Sequence, residues 1–223
     1  MIKISIVIPS FNQSQYLGSA ISSALEQSVQ THEIICVDDG SNDNSLELAK
    51  SFEGVKVISQ VNKGLSSARN TGIMNATGEF CLFLDADDIL LENAIERITQ
   101  VIEQTGADVV SPSFKCFGMA QDEIILMENP TIEDFKVANR VPYASAIRRS
   151  KLLEIGGYSP RMQQGWEDYH LFFNLLSRGA TIKTIPEVLF LYRVKETSMY
   201  KESVKYEKEL WSQIKKDFPK LFD

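Results

Sequence analysis

Phe83-Leu84-Asp85-Ala86-Asp87-Asp88 carries an apolar segment straight into three carboxylates. Carboxylates crowded at a strand end repel one another unless a cation or a set of hydrogen-bond donors lies between them. Side chains of an extended segment alternate with period two, so Asp85 and Asp87 project to the same side. That pair is a workable seat for a divalent cation that itself carries phosphate oxygens. The same residue type also suits a helix start, and capping would account for one of the three Asp residues, or two.

Comparable polar clusters end the other apolar runs of the N-terminal half. Residues 3–8 read as a strand broken by Pro9-Ser10-Phe11-Asn12, before a helix with Leu17, Ala20, Ile21, Ala24 and Leu25 on one stripe. Residues 33–37 end in Asp38-Asp39-Gly40-Ser41, with a short helix over 45–52 behind them. Residues 55–59 end in Asn62-Lys63-Gly64, before a helix carrying Leu65, Ala68, Ile73 and Ala76. Residues 79–84 form the acidic strand, and a helix with Ile95, Ile98, Val101 and Ile102 comes next. Strands alternating with helices imply right-handed crossovers and a largely parallel sheet. Ligands of such sheets bind outside the carboxyl ends of the strands, where all four clusters fall.

Beyond residue 108 the pattern changes. A fifth strand over 108–113 leads into an irregular stretch to 140, then a strand over 143–148 and a short helix from Ser150. Gly156-Gly157-Tyr158-Ser159-Pro160 reads as a loop. A helix opens at Trp166-Glu167-Asp168 with Leu171, Phe172, Leu175 and Leu176 as its apolar face, and strands over 181–185 and 188–194 flank Pro186. Tyr206, Leu210, Ile214 and Phe218 recur at spacing four in a C-terminal helix. That helix is expected to pack on its own domain, with peripheral membrane contact as the alternative; Glu202, Glu207, Glu209 and Asp217 dilute its lysines.

Composition narrows the function classes. The 223 residues suit one large domain, with 43% apolar and 24% charged residues. Lys+Arg 23 against Asp+Glu 30 leaves a net charge of −7, which argues against nucleic acid as a partner. Neither a transmembrane run nor a signal peptide is legible. Cys36 and Cys81 fall in expected buried strands, and the third cysteine leaves an odd count without metal-ligand spacing. They read as reduced residues of a cytoplasmic protein. His170 stands two residues after Asp168, a spacing that does not share a helix face, so a serine-histidine-aspartate site is not expected. No Gly-x-Gly-x-x-Gly follows the first strand and no Gly-Lys-Ser/Thr phosphate loop occurs.

Six motifs in order carry a family resemblance: Ser5-Ile-Val-Ile-Pro-Ser-Phe-Asn12, Val37-Asp-Asp-Gly-Ser41, Asn62-Lys-Gly64 with Ala68-Arg-Asn-x-Gly72, Phe83-Leu-Asp-Ala-Asp-Asp88, Gly156-Gly-Tyr158 and Trp166-Glu-Asp168. Over almost its whole length the chain resembles the family-two inverting glycosyltransferases. The resemblance implies an α/β GT-A nucleotide-diphospho-sugar transferase fold, with a mostly parallel central sheet flanked by helices. It implies one domain over 1–223, in which 1–107 binds the nucleotide sugar, 108–200 forms the acceptor and catalytic half and 201–223 is the C-terminal helix.

The resemblance also implies roles for single residues. Pro9 and Ser10 would line the nucleotide pocket, and Asp39 would accept a hydrogen bond from the base, typically uracil. Arg69 would neutralise the nucleotide end of the donor; alone, it would read as a surface charge. Asp85-Ala86-Asp87 would form the donor motif, Asp87 holding Mg²⁺ or Mn²⁺ and Asp85 contacting ribose or the metal shell. Asp88 would stand behind them or cap a helix. Asp168 would be the base that activates an acceptor hydroxyl, with Glu167 beside it, and Gly156-Gly157-Tyr158 and Trp166 would flank the acceptor. The expected donor is a UDP-sugar and the expected acceptor a glycan or lipid-linked glycan, in polysaccharide or glycoconjugate synthesis. A sugar-phosphate nucleotidyltransferase would need a glycine-rich N-terminal loop, which Pro9-Ser10-Phe11-Asn12 does not provide. A non-catalytic carbohydrate- or partner-binding module is the remaining alternative, and retention of Asp85, Asp87 and Asp168 speaks against it.

Overall fold

Strand β1 (Ile4–Ser10) is buried along all seven residues, and its apolar run without alternation is what a strand covered on both faces requires. A computed structural model describes residues 2–196 and 202–222 of the chain. In it β1 is central and pairs in parallel with β2 (Glu33–Asp38) on one side and β4 (Phe80–Phe83) on the other. β3 (Val55–Ser59) pairs in parallel with β2 and closes that edge, where its burial is only partial. Helices α1 (Ser14–Leu25), α2 (Ser45–Lys50) and α3 (Leu65–Asn75) make the crossovers. The carboxyl ends of β1, β2, β3 and β4 therefore share one rim.

Past β4 the sheet becomes mixed. β8 (Ala146–Arg148) runs antiparallel to β4 and to β6 (Val109–Gly118), and β6 pairs in parallel with β9 (Ile182–Val194). The short β5 (Ile89–Leu90) and β7 (Glu123–Ile124) add antiparallel partners to β9 and β6. The sheet order is β3-β2-β1-β4-β8-β6-β9-β5, nine strands with β7 included. The two strands expected around Pro186 are one: β9 continues from Ile182 to Val194, with an irregularity where its register against β6 shifts. Proline lacks the ladder N–H, and a bulge accommodates that without ending the strand.

The remaining helices are α4 (Ala94–Thr105), α5 (Ile132–Phe135), α6 (Arg149–Ile155), α7 (Glu167–Ser177) and α8 (Glu207–Asp217). Leu210 and Ile214 of α8 are buried in the common core, so this helix packs on its own domain as its spacing predicts. Among the described residues no helix is long and apolar enough to cross a membrane. Cys36, Cys81 and Cys116 are all buried thiols.

Candidate active site

The rim is built by loops that bind each other. Asp39 follows β2, and its N–H donates to Ser10 O at the end of β1 (2.8 Å). The Asp39 carboxylate accepts from Gln60 Nε2 (2.7 Å), Lys63 N (3.0 Å) and Gly64 N (2.7 Å), which ties the β2 loop to the turn before α3. Gly40, at φ 76°, is needed here, since a Cβ would stand 2.8 Å from Asn62 N. Asp38 accepts from Ser41 N (3.3 Å) and Ser59 Oγ (3.4 Å) through one oxygen. Ser10 Oγ and the other Asp38 oxygen are buried without a hydrogen-bond partner among the described residues. Pro9 and Ser10 are both buried beneath this loop layer.

Arg69, on α3, is completely buried, not the surface charge that its sequence context alone suggests. Its guanidinium fork donates from Nη2 to Asp85 Oδ1 and from Nη1 to Glu167 Oε1, both at 2.7 Å. The rings of Tyr143 and Tyr158 face it at 5.0 and 5.1 Å. Burial opposes the charge, but the carboxylates outweigh that and hold the guanidinium well above its usual pKa. Burial also pushes the Asp85 carboxyl up; Arg69 pulls it back and Asp87 adds repulsion.

Asp88 caps no helix. It is 1% exposed, accepts from Arg193 N (2.6 Å) and from the Tyr143 hydroxyl, and so ties the acidic turn to β9 and the β8 approach. Burial and the neighbouring Asp85 and Asp87 raise its pKa well above the carboxylate range. Arg193 Nε donates to Asp87 O (2.8 Å), while Lys195 Nζ reaches Asp87 Oδ2 at 2.5 Å. Asp85 and Asp87, paired with Arg69 and Lys195, supply hard carboxylate oxygens of the kind that Mg²⁺ or Mn²⁺ takes. No cluster of three or more His, Cys, Asp or Glu side chains converges among the described residues, so an ion there would complete its shell with water and phosphate oxygens.

Asp168 sits in the first turn of α7. The turn before it is strained: Trp166 has φ 62°, held by ring contacts to Tyr169 and Trp211 at 5.3 and 5.6 Å. Asp168 Oδ1 accepts from Tyr169 N (2.7 Å) and Oδ2 from Asn139 Nδ2 (3.1 Å). Burial, reinforced by the adjacent Glu167 charge, raises its pKa to about 7, against the opposing pull of Arg69 and the hydrogen bonds. A carboxylate poised there is able to take a proton near neutral pH. Through Arg69, the acidic turn after β4 and the start of α7 form one constellation.

Residues 5–170 match the family model described as Glycosyl transferase family 2. The chain belongs to this family. The glycosyltransferase is 33% identical over 220 residues to Glycosyltransferase GlyG of Streptococcus pneumoniae serotype 4, covering 88% of this chain and 72% of that one. It is 35% identical over 117 residues to the poly(ribitol-phosphate) beta-N-acetylglucosaminyltransferase TarP of Staphylococcus aureus, covering 49% of this chain and 36% of that protein. The crystal structure of S. aureus TarS 1–349 in complex with UDP-GlcNAc superposes with a TM-score of 0.78 over 89% of this chain, at 20% identity, which shows a shared GT-A fold. The chain spans 61% of that TarS fragment and about a third of TarP, so those proteins carry further sequence.

In this glycosyltransferase Asn139 is a contact that the sequence did not disclose. Nothing in the irregular stretch before residue 140 marks it. The segment reaches Asp168 because α5 is pinned to α7: a Thr131–Asp134 capping box opens α5, Phe135 packs against Tyr169, Phe172 and Phe173, and the Tyr169 hydroxyl donates to Phe135 O.

In Gly156-Gly157-Tyr158 the tyrosine has no open face on which a sugar could stack. Tyr158 is 1% exposed, edge-on to Phe83 at 5.1 Å. Asn70 pairs with it as a peptide would, accepting from Tyr158 N (2.8 Å) and donating to Tyr158 O (2.9 Å). A Cβ on Gly157 would lie 2.2 Å from Asn70 Oδ1, so the double glycine lets this loop close over α3. Trp166 is half-buried. His170 pairs with Asp217 of α8 (3.0 Å), not with Asp168.

Proposed function

We propose that this glycosyltransferase moves a sugar from a UDP-sugar to an acceptor hydroxyl, with a divalent metal ion and with inversion at the sugar carbon. The observation that carries this reading is the Arg69 bridge between Asp85 and Glu167, because it sets the donor carboxylates beside the base-bearing turn. Pro9, Ser10 and the Asp38–Asp39 loop would hold the nucleoside, with Asp39 facing the base. Asp87 and Asp85 would hold Mg²⁺ or Mn²⁺, and Ala86 would line the donor path between them. When bound, such an ion offsets the charge that grows on the diphosphate leaving group.

Asp168 would accept the acceptor hydroxyl proton as the new oxygen–carbon bond forms. The electron pair of the old bond leaves with the diphosphate, so a single displacement inverts the carbon. Asn139 and Tyr169 N hold the Asp168 carboxylate in one orientation for that step. The printed descriptions of TarS with UDP-GlcNAc and of TarP favour uridine and an amino sugar as the first donor to try. We assign the acceptor to glycans or lipid-linked glycans of polysaccharide or glycoconjugate synthesis. The three buried free thiols favour a reducing, cytoplasmic setting.

The test is thermal melting with UDP, with Mn²⁺ or with chelator. At ligand 100-fold above its dissociation constant, binding adds about 2.7 kcal/mol to stability. A metal-dependent rise in Tm that Asp87→Ala removes supports the reading. The same rise in the variant overturns the role of Asp87.

A further inference from the structure

Lys195 makes an ion pair with the carboxylate assigned to the metal. It stands at the exit of β9, two residues past Arg193, and in an extended chain that spacing puts both side chains on one side. Arg193 is fixed: its guanidinium is stacked between the rings of Tyr16 and Phe117 at 4.3 and 4.2 Å, while its Nε holds the Asp87 carbonyl. From that anchored position the Lys195 ammonium reaches Asp87 Oδ2 at 2.5 Å and passes the Tyr16 ring at 5.6 Å. Neither partner is deeply buried: 27% of the Lys195 side chain and 17% of the Asp87 side chain are exposed. The ammonium borders an open cleft of about 490 Å³ lined by Asn12, Tyr16, Met119 and Glu196 among others, so it has room to move. A lysine is a flexible point charge and suits a movable role that the planar, stacked Arg193 does not.

We propose that Lys195 is a resident counter-cation of Asp87 which a divalent ion displaces, and that the released ammonium then moves onto the donor diphosphate. The inference rests on the metal reading of Asp87. It assigns the chain a built-in exchange: Lys195 opposes metal binding by the free protein and favours it once the diphosphate is present to receive the ammonium. Metal and donor then bind with positive coupling, which is a property of this side chain and not of the carboxylates alone.

The test is a titration of Mn²⁺, followed by electron paramagnetic resonance and calorimetry, without and with UDP, on the wild type, Lys195→Met and Lys195→Arg. Lys195→Met keeps an unbranched side chain one atom shorter and loses the charge. Without nucleotide it is expected to bind Mn²⁺ about tenfold more tightly, equivalent to ~1.4 kcal/mol. With UDP it is expected to show weaker Mn²⁺–UDP coupling than the wild type, while Lys195→Arg stays close to the wild type in both. Changes of opposite sign in one variant do not arise from damage to the fold, and a normal melting curve checks the fold directly. Unchanged Mn²⁺ affinity in Lys195→Met, with UDP-dependent metal binding intact, overturns the exchange and leaves the metal reading standing. No Mn²⁺ binding by the wild type even with UDP overturns both.

Discussion

Arg69 and Glu167 stand 98 residues apart in the chain and meet at 2.7 Å inside the protein. The second arm of the same guanidinium holds Asp85, so one side chain spans the acidic turn after β4 and the first turn of α7. Two motifs that are remote in sequence are joined by a cation neither of them contains.

Replacing that cation is expected to be costly. Arg69→Met leaves the buried Glu167 and the partly exposed Asp85 without their counter-charge. The expected loss is about 3–5 kcal/mol, the usual cost of removing one partner of a buried pair. Arg69→Lys keeps the charge but not the two-armed fork, so it should recover only part of the loss. Urea unfolding of the three proteins measures this, and a loss under about 1 kcal/mol for Arg69→Met would show that the bridge holds little of the fold.

Asp168 links activity to stability with a defined sign. Its carboxyl titrates at about 7 in the fold against an ordinary value of 3.8, so the folded protein holds this proton more tightly than the unfolded chain. The stability contributed by that proton is fully present below about pH 4 and is lost as pH rises through about 7. Asp168→Asn never ionises. The variant is therefore expected to become more stable relative to the wild type between those pH values, with a constant difference above them. Transfer should fall by roughly 10²–10⁴, and the wild-type rate should rise with pH through about 7. Equal melting temperatures at pH 5 and pH 8 for the pair, with transfer retained, would reduce Asp168 to a first-turn helix residue.

Asn139 gives a finer test of the role proposed for Asp168. Its Nδ2 donates to Asp168 Oδ2, and a bond to the charged form lowers a carboxylate pKa. Asn139→Ala is expected to move the acid limb of the transfer-rate profile to higher pH while UDP affinity stays at the wild-type value. An unmoved limb would make Asn139 a bystander on the α5–α7 seam.

The sequence by itself determined the N-terminal half of the fold. Alternating apolar runs and helical stripes gave β1 to β4 and α1 to α4 in order. The polar clusters at the carboxyl ends of those strands marked the rim, because a parallel sheet leaves its ligand crevice nowhere else. Period-two and period-3.6 patterns are local, so they survive without any knowledge of contacts. The packing of α8 was legible for the same reason, since Leu210 and Ile214 recur at helical spacing.

Tertiary structure decided what each polar residue does. Arg69 is a surface charge by pattern and a buried bridge in the fold, because its partners lie 16 and 98 residues away. Asp88 belongs to β9 and Tyr143, not to a helix start. Tyr158, expected at an open acceptor face, is enclosed by Asn70, Phe83 and Arg69. Asn139 and Lys195 gave no signal at all, since a single amide or amine in an irregular stretch acquires a role only when folding sets it beside Asp168 or Asp87. Spacing along the chain predicts which residues share a face. Which carboxylate meets which cation depends on long-range closure, and no local pattern encodes that.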